Sequence, residues 1–182
     1  MENNDRTIAV FGSGSAPVDH LVLAQAEGLG NLLAGAGFSL VCGGYGGTME
    51  AASRGARRAG GRVVGVTLDL FTPRLAPNPW LTEEHRVSDF FPRLKRLTDV
   101  DGFVVLQGGI GTLTEATLTW TLLQTGQIAP KPFIFVGAGW RRLFDAFRSE
   151  TLMTEAAFSL ARVVDTADDA VDLLKELMAP AS

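Results

Sequence analysis

The chain has 182 residues, 46% hydrophobic and 20% charged, with 16 basic against 20 acidic side chains and a net charge of −4. That length suits one domain with a good core, and the acidic balance argues against a general binder of nucleic acid or anionic membrane. A single cysteine, Cys42, and two histidines leave no internal disulfide and no metal cluster. No apolar run approaches the ~18 residues that span a bilayer, and the polar start M-E-N-N-D-R carries no signal peptide, so a cytoplasmic protein with no metal and no resident cofactor is expected.

Residues 7–11 (T-I-A-V-F) open into Gly12-Ser13-Gly14-Ser15. An apolar run without alternation suits a strand covered on both faces. Residues 19–36 read as a helix with Leu21, Ala24, Leu29, Leu32 and Leu33 as apolar positions, closing at Gly35 and Gly37. A second strand, 38–42, runs into Gly43-Gly44-Tyr45-Gly46-Gly47-Thr48-Met49-Glu50-Ala51, where a helix begins that lasts to about 59 and stops at Gly60-Gly61. Residues 62–67 form the third strand. The stretch 68–84 holds Pro73, Pro77, Pro79 and Trp80 without a sustained period, as a surface loop long enough to be a lid or rim. A short strand at 85–88 and a helix at 90–98, with Phe90, Phe91, Leu94 and Leu97 as its stripe, precede the buried strand 102–106. Gly108-Gly109-Ile110-Gly111-Thr112 follows, then a helix over 113–124, a strand over 132–137, a helix over 140–148, a short strand at 163–165 and a closing helix over 167–178.

Strands alternating with helices predict an α/β fold: one Rossmann-like domain with a parallel sheet of about six or seven strands and helices on both faces. Ligands of such sheets bind at the carboxyl ends of the strands, where the strand order reverses. All three glycine-rich loops fall at that edge. Consecutive glycines let backbone N–H groups approach a ligand, and a helix N-terminus adds unpaired N–H groups and a positive dipole end. Residues Gly108, Gly109, Ile110, Gly111 and Thr112 therefore read as a phosphate cradle. Glu115 and Arg93 are expected to converge on it, a carboxylate and a guanidinium at one crevice.

The first two loops add Gly12, Ser13, Gly43, Gly44, Gly47, Thr48 and Glu50 as candidate ligand contacts. There is an internal echo: Glu50 stands seven residues after Gly43 and Glu115 seven after Gly108, each followed by Ala. Two such loops at neighbouring strand ends would line opposite walls of one pocket. Structural roles compete with these readings. Thr112-x-x-Glu115 has capping-box spacing, whereas Glu50, two residues after Thr48, breaks it. Arg93 is followed by Lys95 and Arg96, as on a solvated basic face. Trp120 reads as core or as a dimer contact, Cys42 as a small buried apolar residue, and His20 and His85 as surface or structural residues. Trp80 stays open between a rim, a partner contact and a lid.

Familiar nucleotide motifs are missing. There is no G-x-x-x-x-G-K-[ST] and no G-x-S-x-G. Pro17 stands where a dinucleotide fingerprint has its third Gly, and the second strand ends without an acid for a ribose hydroxyl.

The run Q-G-G-I-G-T-L-T-E-A-T-L-T-W resembles the P-G-G-x-G-T-x-x-E motif of the LOG family, the cytokinin riboside 5′-monophosphate phosphoribohydrolases long described as lysine decarboxylases. The resemblance runs from about Ile8 to Phe147. G-G-Y-G-G-T-M-E-A matches the family's first glycine-rich loop, Arg93 in F-F-P-R-L-K matches the Arg of its M-H-x-R-K segment, and Thr119-Trp120 and Lys131-Pro132 match as well. It implies a Rossmann-like homodimer that hydrolyses the N-glycosidic bond of a nucleoside 5′-monophosphate, AMP or a cytokinin ribotide, with Arg93 and Glu115 as its active pair.

Gln107 replaces the motif's Pro, and the first loop is closer to a branch that includes proposed molybdenum-cofactor carriers. A non-catalytic carrier or sensor of a phosphate-bearing cofactor is therefore the alternative. No lysine stands in a setting that suggests a pyridoxal Schiff base.

Overall fold

The computed structural model describes residues 6–14, 17–71 and 75–179; Ser15 and Pro73 fall outside them. In chain order the elements are β1 (Thr7–Phe11), α1 (His20–Gly35), β2 (Ser39–Cys42), α2 (Gly47–Arg58), β3 (Val63–Leu68), a 3-10 turn (Asp69–Phe71), β4 (Glu83–Val87), α3 (Phe90–Thr98), β5 (Gly102–Val105), α4 (Ile110–Gln124), β6 (Phe133–Val136), α5 (Ala138–Glu150), α6 (Glu155–Phe158), β7 (Arg162–Val164) and α7 (Ala167–Leu177). β1, β2, β3, β5 and β6 are apolar runs buried almost throughout, as strands covered on both faces must be.

All seven strands are parallel, in the order β4-β3-β2-β1-β5-β6-β7. The chain builds outward from β1 to β4 and then returns to lay β5 on the other side of β1, with Ile8 beside Gly102. The order reverses between β1 and β5, and that crevice is where such sheets take ligands. Right-handed crossovers place α1, α2 and α7 over one face, around Leu29, Leu33, Ala52 and Leu174. The helices α3 to α6 cover the other, around Leu97, Trp120, Phe144 and Phe158.

Trp120 is core, as its sequence setting allows. It stacks on Phe144 at 4.9 Å between ring centroids, and its indole N–H donates to the Ala157 carbonyl at 2.7 Å.

α1 and α2 touch backbone to backbone. A Cβ on Gly30 would stand 1.9 Å from the Ala52 carbonyl oxygen, and one on Gly55 would stand 1.9 Å from that of Glu27. This close crossing brings the start of α2 beside the loop that follows β1.

Three expectations are corrected here. The loops after β2 and β5 do not leave neighbouring strands, because β1 lies between them. α4 begins at Ile110, three residues before the expected start, so Gly111 and Thr112 belong to its first turn. α6, with four residues, and the 3-10 turn are too short to leave a periodic signal.

Candidate functional site

Three loops meet at the carboxyl edge of the sheet, and the one after β1 is their hub. The Thr48 backbone N–H donates to the Ser13 carbonyl at 3.0 Å, and its hydroxyl donates to the same oxygen at 3.3 Å. A Cβ on Gly12 would stand 2.2 Å from the Thr48 hydroxyl; one on Gly108 would stand 2.1 Å from the Thr112 hydroxyl and 3.0 Å from the Ser13 nitrogen. Glycine at both positions is therefore a packing requirement. Gly44 and Gly47 take positive φ, 78° and 62°, where a side chain is strained.

α4 starts on Gly109 with no side-chain cap. Its first-turn N–H groups, from Ile110, Gly111 and Thr112, have no intrahelical acceptor by geometry, and residues 107–111 are exposed. Backbone donors, dipole and exposure coincide there, which suits a phosphate. The capping box does not form: Gly109 is the cap, Thr112 sits in the first turn, and the Glu115 side chain turns away to Arg93.

Arg93 and Glu115 come together. α3 is capped by Asp89, whose carboxylate accepts from the Phe91 N–H at 3.0 Å. Its period turns Arg93 inward, 5% exposed, while Lys95 and Arg96 face solvent. Arg93 Nε donates to the Val66 carbonyl at 2.9 Å, and Nη1 donates to Glu115 Oε1 at 3.0 Å. Nη2 lies where a Cβ on Gly43 would meet it at 2.1 Å. Glycine after β2 thus makes room for the guanidinium. Glu115 is 6% exposed. Burial pushes its carboxyl above the usual range, and the charge and hydrogen bond of Arg93 only partly offset this. The Cys42 thiol is fully buried, accepts from the Gly44 N–H at 3.4 Å, and is pushed up by the same loss of solvent.

Two cavities flank the Gln107–Gly109 turn. One of about 490 Å³ lies at the β1/β5 switch, lined by Ser13, Pro17, Val18, Asp19, Gln107 and Gly108 among others. The second, about 320 Å³, shares Gln107 and Gly108 and reaches the start of α5. Neither is lined by Arg93 or Glu115, so the cradle is open while the ion pair beside it is closed. Glu50 does not repeat the Glu115 arrangement. It stays half-buried at the start of α2, with its Oε2 beside Gly46, and makes no ion pair among the described residues.

Sequence reasoning missed Asn78. It is 6% exposed and pins the proline-rich stretch beneath the loop after β2. Its backbone N–H donates to the Gly44 carbonyl at 2.8 Å, Nδ2 donates to the Tyr45 carbonyl at 3.1 Å, and Oδ1 accepts from the Trp80 N–H at 3.1 Å. Tyr45 adds a tie, its hydroxyl accepting from the Leu68 N–H at 2.7 Å. The described part of this loop is a strap and not a free lid. Trp80 is half-buried with the Arg58 guanidinium 5.8 Å from its ring centroid. An asparagine among prolines suggests a local turn, as its contact with the Trp80 N–H is, but gives no signal of the ties to Gly44 and Tyr45, which are remote in sequence.

A family model described as "possible lysine decarboxylase" matches residues 49–174, and one described as the "SLOG cluster4 family" matches residues 5–77. The chain is 32% identical over 176 residues, covering 92% of each protein, to the cytokinin riboside 5′-monophosphate phosphoribohydrolase of Mycobacterium tuberculosis. Among solved structures, the molybdenum cofactor binding protein from Rippkaea orientalis superposes with a TM-score of 0.78 at 21% identity, covering 97% of this chain and 99% of that one. The molybdenum cofactor carrier protein from Chlamydomonas reinhardtii gives 0.75 at 23% identity, over 97% and 100% of the two chains. These two likenesses establish the fold.

Proposed function

The chain belongs to the LOG family, whose model carries the description "possible lysine decarboxylase", and from that premise we propose that it is a nucleoside 5′-monophosphate phosphoribohydrolase, acting on AMP or a cytokinin ribotide. The observation that carries this reading is the buried Arg93–Glu115 pair, 3.0 Å apart beside an open phosphate cradle. A carrier has no chemical need for a guanidinium and a carboxylate set against each other at one strand end. The name of the mycobacterial relative supports the same reading.

In this mechanism the N–H groups of Ile110, Gly111 and Thr112 and the Thr112 hydroxyl hold the 5′-phosphate. Binding energy from that non-reacting group fixes the ribose. Water attacks C1′ as the N-glycosidic bond breaks, the bonding pair leaves with the base, and the base nitrogen takes a proton from solvent. Positive charge builds on the ribose in the transition state, and the Glu115 carboxylate stabilises it and accepts the water's proton. A carboxyl raised by burial is better matched to proton transfer near neutral pH than an ordinary one. Arg93 neutralises Glu115 at rest, and the pair parts as the ribose arrives. The products are free base and ribose 5-phosphate. A homodimer in the cytoplasm completes the proposal, and light scattering on the purified protein reads the dimer.

The test is base release from AMP and from isopentenyl-adenosine monophosphate, followed by chromatography. Glu115→Gln should lower turnover by about 10²–10⁴-fold with AMP affinity kept. Wild-type turnover in that variant, with folding and affinity intact, sinks the mechanism.

The second reading is a carrier of a phosphate-bearing cofactor. It is favoured by the closed state of the pair, which lines neither cavity, and it is in keeping with the printed names of the two structural neighbours. No base release from any nucleotide, together with retention of a pterin phosphate, would select it.

A further inference from the structure

α5 begins as α4 does, on a glycine with no side-chain cap. Gly137 holds φ at 111° and donates its N–H to the Val164 carbonyl at 2.8 Å, which fixes the entry of the helix. No acidic residue stands in the first turn, so nothing there complements the positive end of the dipole. Arg142 makes the imbalance worse. Its Nη2 lies 3.9 Å from where a Cβ on Gly139 would be, so the guanidinium folds back over the N-terminal turn. Nearby arginines on α5 have partners: Arg141 pairs with Asp165 at 2.9 Å and Arg148 with Glu155 at 3.3 Å. Arg142 has no ion pair or hydrogen bond among the described residues.

The 320 Å³ cavity at this turn is lined by Gln25, Gln107, Gly108, Gly139, Trp140 and Arg142 among others. Trp140 is 8% exposed, and its indole Nε1–H is, among the described residues, a buried side-chain donor with no acceptor. Leaving such a donor unpaired is costly, because it gives up its hydrogen bond to water without gaining another. A guanidinium against the dipole, an uncapped helix start and Trp140, whose buried indole N–H has no acceptor among the described residues, all line one cavity, and all lack the same thing, an anion with several acceptor oxygens.

We propose that the cavity at the N-terminus of α5 is a second phosphate-class anion site, held by the Ala138 and Gly139 N–H groups, Arg142 and the Trp140 indole, and adjoining the Gly108–Thr112 cradle. The site goes beyond the function proposed above and does not depend on it. The anion is either free or a second phosphate on the ligand whose first phosphate sits on α4.

The indole N–H of Trp140 reports directly. The chain has three tryptophans, so a ¹⁵N-labelled sample gives three indole signals. Trp140→Phe identifies the one wanted, and sequential assignment replaces it should that variant not fold. The protein is titrated with inorganic phosphate, AMP and adenosine 3′,5′-bisphosphate at constant ionic strength in chloride. The Trp140 signal should shift and saturate, with those of Trp80 and Trp120 unmoved. Arg142→Gln, at an exposed position, should raise the midpoint about tenfold or more, as loss of a charge-assisted hydrogen bond requires. A bisphosphate midpoint well below that of AMP assigns the anion to the same ligand; a midpoint equal to that of free phosphate assigns it to a separate anion. A Trp140 signal unmoved by phosphate and bisphosphate, or a midpoint unchanged in Arg142→Gln, overturns the site. Base release without a Trp140 response fails this inference alone, and a response without base release fails the hydrolase alone.

Discussion

Replacing Arg93 by methionine keeps the apolar stem of the side chain and removes the guanidinium with its charge. Glu115 then stays 6% exposed with no cation 3.0 Å away. Breaking a buried pair from one side costs about 3–5 kcal/mol, a large share of the ~5–15 kcal/mol that holds a domain of this kind together. The penalty also depends on pH. The Glu115 carboxyl is already raised by burial, and losing Arg93 removes both influences that lower it. A folded-state value above the unfolded one means that the folded protein binds the extra proton. The contribution of Glu115 is thus fully favourable below the unfolded carboxyl range and is lost as pH rises toward the folded value, by up to about 1.4 kcal/mol per pH unit. Urea unfolding followed by circular dichroism at pH 5.5, 6.5 and 7.5 reads both effects: Arg93→Met should be far less stable than wild type at pH 7.5 and should recover as pH falls. The double variant Arg93→Met/Glu115→Leu removes the stranded carboxylate and should regain most of the loss, since apolar replacement of a buried pair is often neutral or stabilising. Both variants forfeit the hydrogen bond to the Val66 carbonyl, so their difference isolates Glu115. A loss that is flat with pH, or a double variant no more stable than Arg93→Met, would refute the account of the pair as a feature retained at a cost to stability.

Gly30→Ala should lower the melting temperature, because its methyl would meet the Ala52 carbonyl at 1.9 Å and overpacking costs about 1–3 kcal/mol. Gly28→Ala in the same helix meets nothing within 4 Å and should raise stability by about 0.5–1 kcal/mol. Gly43→Ala should displace the Arg93 guanidinium, which the new methyl would meet at 2.1 Å, and abolish base release with the circular-dichroism spectrum kept. Asn78→Ala should cost about 1–3 kcal/mol by leaving the Tyr45 carbonyl without its donor; limited proteolysis within residues 75–82 should accelerate in step.

Much of the fold was legible because it is written in local pattern. The unalternating apolar runs of β1, β2, β3, β5 and β6, all but β3 followed at once by a helical period, dictate a parallel sheet with helices on both faces. The glycine-rich turn after β5 shows where backbone N–H groups can approach a ligand, and at Gly108 no other residue fits, because a Cβ there would meet the Thr112 hydroxyl at 2.1 Å. Boundaries slipped where two readings of one segment are locally equal. The start of α4 at Ile110 is one case, because Gly111 fits a loop as well as an open first turn that no side chain caps.

What the tertiary structure alone decided is which remote groups meet. Arg93 could equally have belonged to a solvated basic face with Lys95 and Arg96; only the packing of α3 on the sheet turns it inward to Glu115, Val66 and Gly43. The similar glycine loops suggested equivalent acids, but β1 separates their strands, and Glu50 makes no ion pair among the described residues where Glu115 pairs with Arg93. Asn78 and Trp140 carried no local sign of a role, because the ties of one to Gly44 and Tyr45 lie far away in sequence, and the burial that leaves the indole of the other without an acceptor among the described residues comes from long-range packing. Periodicity and turn chemistry act over a few residues and are therefore readable along the chain, whereas burial, pairing and an unpaired donor arise from long-range packing and exist only once the sheet has closed.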